Sequence, residues 1–335
     1  MIEYQPIPAA TPARSFARKL RLGSLLYAAW HRPRASLARS VRAGGPWQQW
    51  LDARGQRAME QAARHLPPLA APAAGAPEVH FLTGRRFWYQ SAFCFHSLRR
   101  QAGELTAAWI DDGTIDPALA GEITRLFPGT RVRLAAAIEQ DLDRHLPSSR
   151  FPTLRRQRLT YLHLRKLTDV HAGSAISRLV LDSDMLFFRA PDALLGWLHS
   201  PDRPVHMLDH HNAYGYPLPA LARLAGRPLP DRINVGVCGF PAGGIDWERM
   251  EAWATTLLSE FGSSYYLEQA LVAMNLAGVP ALALPADTYR LMPDVVECRH
   301  PTAILHHYVD LSKRGYFRHA WRHFVGSASP RSEAG

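Results

Sequence analysis

From residue 78 onward, short apolar runs alternate with amphipathic helical patterns, and this limits the fold more than any other feature of the sequence. "EVHFL" (78–82), "LTAAWI" (105–110) and "TRVRL" (130–134) have the length and β-branched or aromatic content of strands. Between and after them, 90–103, "DPALAGEITRLF" and about Pro152 to Val170 carry helical spacing. Further strands are expected at 179–188, 204–209, 233–240, 279–284 and 303–308, with helices over 246–261 and 264–277. Strands alternating with helices predict an α/β fold: a Rossmann-like, mostly parallel sheet flanked by helices on both faces. Ligands of such sheets bind beyond the carboxyl ends of the strands.

The 335 residues, 47% hydrophobic, suffice for one large domain with an extension. "LPPLAAPAAGAP" (66–77) reads as a linker, so residues 1–70 are expected to form a basic helical extension and 77–325 the main domain. Residues 1–66 hold eleven Arg or Lys against Glu3, Asp52 and Glu60, which leaves only two of the chain's ten net positive charges for the rest. Cations interleaved with Phe16, Leu20, Leu25, Leu26 and Trp30 suit either a peripheral membrane contact or a helix packed on the domain with a solvated basic face. No nucleic-acid motif accompanies the charge, and no nucleic-acid partner is expected. The three scattered cysteines fit neither a disulfide framework nor a structural zinc site. With no apolar run of about 18 residues and no secretory pattern, a cytoplasmic protein is expected, peripheral at most to the inner face of the membrane.

Two carboxylates interrupt the apolar run "LVLDSDMLFF" (179–188). On an extended segment Asp182 and Asp184 point the same way, about 6–7 Å apart, so one divalent cation can be reached by both. Oxygen ligation suits Mg²⁺ or Mn²⁺. With 17 aspartates, about one D-x-D is expected by chance. The second copy, Asp141-Leu142-Asp143, lies in polar surroundings and reads as a solvated helix or loop; two aspartates capping a turn is the structural alternative for 182–184.

Several segments follow in an order that resembles the nucleotide-sugar glycosyltransferases of the GT-A fold, most closely family 8. These are a helix with Arg165 and Lys166, then D-S-D, then "INVGV" with Asn234 and Gly236, then "LEQALVAMN" with Glu268 and Gln269, then "HHYVDLSK" with His307 and Lys313. The resemblance covers about 78–320. It implies a hexosyltransferase-type enzyme of bacterial glycan biosynthesis that moves a sugar, with retention, from a nucleoside-diphosphate sugar (UDP favoured) to a glycan, lipid or protein acceptor. It further implies Asp182, Asp184 and His307 as metal ligands, the imidazole favouring Mn²⁺ over Mg²⁺, and Asn234, Glu268 and Gln269 as the groups around the reacting carbon. Arg165, Lys166, Gly236 and Lys313 would contact the donor. The first strand turn, Thr83-Gly84-Arg85, and the second, Asp111-Asp112, are the remaining expected donor contacts, at strand ends where backbone amides and carboxylates reach a nucleotide. His306 is the rival of His307, since neighbours on a strand face opposite ways. Asp310 stands where the family has Gly, Arg314-Gly315 where it has Pro-Trp, and Glu268 where it has Asp. The alternative is an inactive protein of the same fold that binds membranes or a glycan-assembly partner through its basic N-terminus.

Overall fold

The computed structural model describes residues 44–325, and divides the chain into two units, 1–55 and 56–335. The amphipathic stretch 15–33 lies outside the described residues. The elements begin with α1 (Gly45–Arg64), β1 (Glu78–Thr83), α2 (Trp88–Ala102), β2 (Thr106–Asp111), α3 (Pro117–Leu126), β3 (Arg131–Arg133), α4 (Ala135–His145), α5 (Pro152–Thr160) and α6 (Arg165–His171). There follow β4 (Arg178–Leu181), β5 (Met185–Phe187), α7 (Asp192–His199), β6 (Val205–Leu208), α8 (Leu218–Ala225), β7 (Ile233–Phe240), α9 (Trp247–Phe261) and α10 (Leu267–Asn275). The last are β8 (Leu282–Ala283), β9 (Tyr289–Leu291), α11 (Val295–Arg299), β10 (Leu305–His307) and α12 (Lys313–Arg318).

Seven strands form the main sheet in the order β3-β2-β1-β4-β7-β6-β8, and β5-β10-β9 form a second. The main sheet is mixed. Strands β3, β2, β1 and β4 run parallel and β6 pairs parallel with β8, while β7 is antiparallel to both of its neighbours. This reversal matters for function: the first residues of β7 and the last of β6 reach the same sheet end as the carboxyl ends of β1, β2 and β4.

Side-chain alternation along the strands builds a core on each face. Val79, Phe81, Ala107, Trp109, Leu179 and Leu181 point to one, with α2 and α3, whereas Ala108, Ile110 and Val180 point to the other, with α4, α6, α9 and α10. Trp109 stacks between Phe81 and Phe127, each with centroids 5.3 Å away, an arrangement that adds about 0.5–1.5 kcal/mol per pair to the burial itself. Met59, Ala63 and Leu66 also belong to the first core, at 0–2% exposure, so the segment just before the Pro/Ala stretch is packed rather than solvated.

Aspartates start several helices: Asp116 accepts from Leu119 N ahead of Pro117, Asp246 from Arg249 N and Asp294 from Glu297 N. The helical pattern from 152 breaks at Tyr161, and a 3-10 turn (Leu162–Leu164) separates α5 from α6. Asp141 and Asp143 lie on α4, where Asp141 pairs with Arg133 and Arg144 and Asp143 with Arg155.

Candidate active site

The run 179–188 is two strands in two sheets, and the D-S-D turn is the crossing between them. Asp182 N still donates to Gly236 O (2.7 Å) on β7, which ties the first aspartate to the main sheet. Tyr308 N donates to Asp184 O (2.8 Å), which ties the second to β10, next to His307. The carboxylates therefore meet through a turn, not through the same-face spacing of one extended strand.

Both carboxylates divide their oxygens in the same way. Asp182 Oδ1 takes Lys166 Nζ at 2.8 Å, and Oδ2 faces His307 Nε2 at 3.6 Å. Asp184 Oδ2 takes Lys313 Nζ at 3.0 Å, and Oδ1 faces the same nitrogen at 3.4 Å. One ligand atom each from Asp182, Asp184 and His307 lies within 4.8 Å of the others, the grouping a single cation requires. His307 is 3% exposed, yet neither ring nitrogen has a hydrogen-bond partner. A buried imidazole without a partner is costly unless something else satisfies it. A divalent ion fits this donor set of one imidazole and two carboxylates.

The neighbouring residues determine which histidine turns inward. His306, fully buried, bonds Glu297 Oε1 (2.8 Å) through Nε2 and Tyr308 Oη (2.9 Å) through Nδ1, which commits it to the opposite face of β10. Gly236 makes room for His307: a Cβ there would lie 2.3 Å from the ring's Cε1.

Lys166 links the turn to α10. It contacts Glu268 Oε2 at 3.3 Å as well as Asp182, so the buried ammonium bridges the two carboxyl groups. Burial alone would lower the Lys166 ammonium, but Asp182 and Glu268 outweigh it and hold the pKa above the ordinary lysine value. Burial pushes Glu268 up to about 8, with Asp182 adding to the push and Lys166 opposing it. For Asp184 burial is overcome by His307 and Lys313, which hold it well below the usual carboxylate range. Lys313 is raised, its burial being outweighed by Asp184.

The other residues singled out in the sequence divide into those at this site and those that brace it. Asn234 donates to Asp209 Oδ2 (3.1 Å) and accepts from Gly236 N (3.0 Å), and Gln269 donates to Ala213 O (2.9 Å). Arg165 turns away from the D-S-D carboxylates: its guanidinium donates to Asp112 O (2.6 Å) and Arg158 O (3.1 Å). Asp111 spends Oδ1 on the amides of Gly113, Thr114 and Ile115 and Oδ2 on Ala135 N, so it shapes the loop after β2. Asp112, less buried, accepts from Thr114 and would collide with any Cβ at Gly84, so the first two strand ends are in close contact. Thr83 Oγ1 accepts from Ser91 (3.0 Å), and the Arg85 side chain pairs with Asp116.

Asp209 opens the polar run "DHHNAYGY" (209–216); its place next to Asn234 depends on the antiparallel pairing of β6 with β7. Exposed Tyr265 packs on His163 (5.2 Å), which in turn lies 5.4 Å from Tyr161.

No family model matches the chain, and no curated relative does. Solved structures with a similar trace include mouse xyloside xylosyltransferase 1 in its apo form, at 11% identity over 69% of this chain and 97% of that one, TM-score 0.47. The galactosyltransferase LgtC, in complex with donor and acceptor sugar analogs, is similar at 15% identity over 70% and 87%, TM-score 0.46. The glycosyltransferase GlyE of Streptococcus pneumoniae TIGR4 is similar at 12% over 75% and 60%, TM-score 0.45. All three are likenesses of trace.

Proposed function

We propose that the protein is a metal-dependent glycosyltransferase of the GT-A type, moving a sugar from a nucleoside-diphosphate sugar, UDP-linked by preference, to a glycan, lipid or protein acceptor with retention at the anomeric carbon. The convergence of Asp182 Oδ2, Asp184 Oδ1 and a buried His307 with no hydrogen-bond partner carries this reading. These three residues would hold a divalent ion, Mn²⁺ by donor chemistry. When bound, the ion supplies Lewis-acid charge to the donor's phosphates as the sugar–phosphate bond breaks.

The chain's own groups do the rest. Lys313, whose side chain is 38% exposed beside Asp184, presents a point charge to the leaving diphosphate. Lys166 fixes Asp182 and Glu268 so that neither relaxes as the donor arrives. Asn234, held by Asp209, together with Glu268 and Gln269, lines the space for the transferred sugar and the incoming hydroxyl, and contributes mainly by orientation. Arg165 supports the loop at Asp112, which with Thr83, Gly84, Arg85 and Asp111 forms the nucleotide side.

The test is a panel of UDP- and GDP-hexoses incubated with full-length protein in Mn²⁺ or EDTA, followed by proton NMR. Metal-dependent release of one nucleoside diphosphate, with the sugar freed or transferred in its original anomeric configuration, is expected. Absence of release from every donor in Mn²⁺ would overturn the assignment.

A further inference from the structure

The catalytic reading leaves unused a surface on the first helix and the charge of the sequence around it. Trp47 and Trp50 are 64% and 44% exposed, and of the tryptophans among the described residues only these two are exposed. Their rings stack at 4.9 Å with 15° between planes, and the Arg54 guanidinium sits 5.6 Å from the Trp50 centroid. At 100° per residue these three side chains form one stripe along α1, and Met59 and Ala63, both fully buried, fall on the opposite side. The stripe is therefore a solvent-facing aromatic and cationic surface rather than the helix's packing face.

We propose that this stripe docks on a lipid bilayer carrying anionic headgroups. Charge complementarity indicates the occupant: the first 66 residues of the sequence, which include the two tryptophans, hold eight of the chain's ten net positive charges, and such a segment is attracted to an anionic surface. The side-chain chemistry agrees, because tryptophan beside arginine suits the boundary between headgroups and acyl chains, where the indole is half buried and the guanidinium remains hydrated. A nucleoside-diphosphate-sugar enzyme held in this way would act on acceptors presented at the membrane surface, although the docking itself does not depend on catalysis.

The test is sedimentation of the full chain with vesicles of phosphatidylcholine alone and of equal parts phosphatidylcholine and phosphatidylglycerol, without nucleotide or metal. The protein is expected to pellet with the anionic vesicles at low salt and to be released by high salt. The Trp47→Ala/Trp50→Ala variant is expected to partition at least about ten-fold less, with unchanged circular dichroism and thermal midpoint. A wild-type protein that stays in the supernatant with anionic vesicles at low salt would overturn the proposal, as would equal binding to both vesicle types. A double variant that binds like wild type would do so too, by assigning the binding to the basic segment without the stripe.

Discussion

Gly236→Ala isolates the metal site from the rest of the fold. A methyl at this position would lie 2.3 Å from His307 Cε1, 2.6 Å from its Nδ1 and 2.6 Å from the Met185 methyl. The methionine end can swing aside, but the imidazole is 3% exposed and enclosed. To restore ordinary contact the ring must retreat by about 1 Å, while metal–ligand distances tolerate only about 0.2 Å. The variant should therefore lose most of the imidazole's contribution, lowering Mn²⁺ affinity about 10- to 100-fold, or about 1.4–2.7 kcal/mol. The overpacking itself should cost about 1–3 kcal/mol of stability. Electron paramagnetic resonance of free Mn²⁺ during titration measures the affinity, with Gly239→Ala as the control. A Cβ at Gly239 would press on Trp197 (2.7 Å), Val205 (2.8 Å) and Leu179 (3.0 Å), so it should reduce stability without touching the site. Wild-type Mn²⁺ affinity in Gly236→Ala, or an equal loss in Gly239→Ala, would refute the reasoning.

Two carboxylates give pH-dependent predictions of opposite sign. Glu268, raised from an ordinary 4.5 to about 8, binds its proton more tightly folded than unfolded, so it erodes stability as pH climbs from about 4.5 through 8. In EDTA, Glu268→Gln should therefore lose less stability than wild type between pH 5 and 9, by at most about 4 kcal/mol, read from urea midpoints; identical pH slopes would contradict this. Glu297 is lowered to about 2: burial raises it, but the amides of Ala303 and Thr302, the Thr302 hydroxyl and His306 outweigh that. Its contribution is full above about 4.5 and fades as pH falls toward 2. Glu297→Ala leaves the buried Ala303 amide and His306 without their acceptor, along with the Thr302 amide and hydroxyl, which should cost about 3 kcal/mol at neutral pH, or roughly 6–12 °C in thermal midpoint. That deficit should shrink on acidification, and a deficit constant from pH 7 to 3 would count against it.

Local pattern was enough to place the parallel strands, the two-sided core and the Asp182/Asp184 pair, because two-residue alternation and an interrupted apolar run are visible without tertiary contacts, whereas His307 entered only through the family resemblance. What the pattern could not show was pairing between distant segments. The D-S-D turn looks like the middle of one strand until β7 holds Asp182 and β10 holds Asp184. His306 and His307 differ in role because Glu297, on α11, claims one of them. Arg165 and Lys166 are adjacent in sequence, yet it is the lysine that reaches the carboxylate, the arginine being drawn to two main-chain oxygens. Asp111 and Asp112 look equivalent in "DDG", although four backbone amides occupy the first. The contact of Asp209 with Asn234 has no trace in the sequence because it exists only through an antiparallel pairing within a sheet expected to be mostly parallel.

The most direct measurement of the central claim is calorimetric titration of UDP and of GDP into the full-length protein, in Mn²⁺ and in EDTA, repeated with Asp184→Asn. The account predicts binding of UDP that requires Mn²⁺ and is lost in Asp184→Asn, whose circular dichroism remains that of the wild type. Binding that is indifferent to EDTA, or that survives in Asp184→Asn with Mn²⁺ present, would contradict it and leave Asp182 and Asp184 as a turn between two sheets.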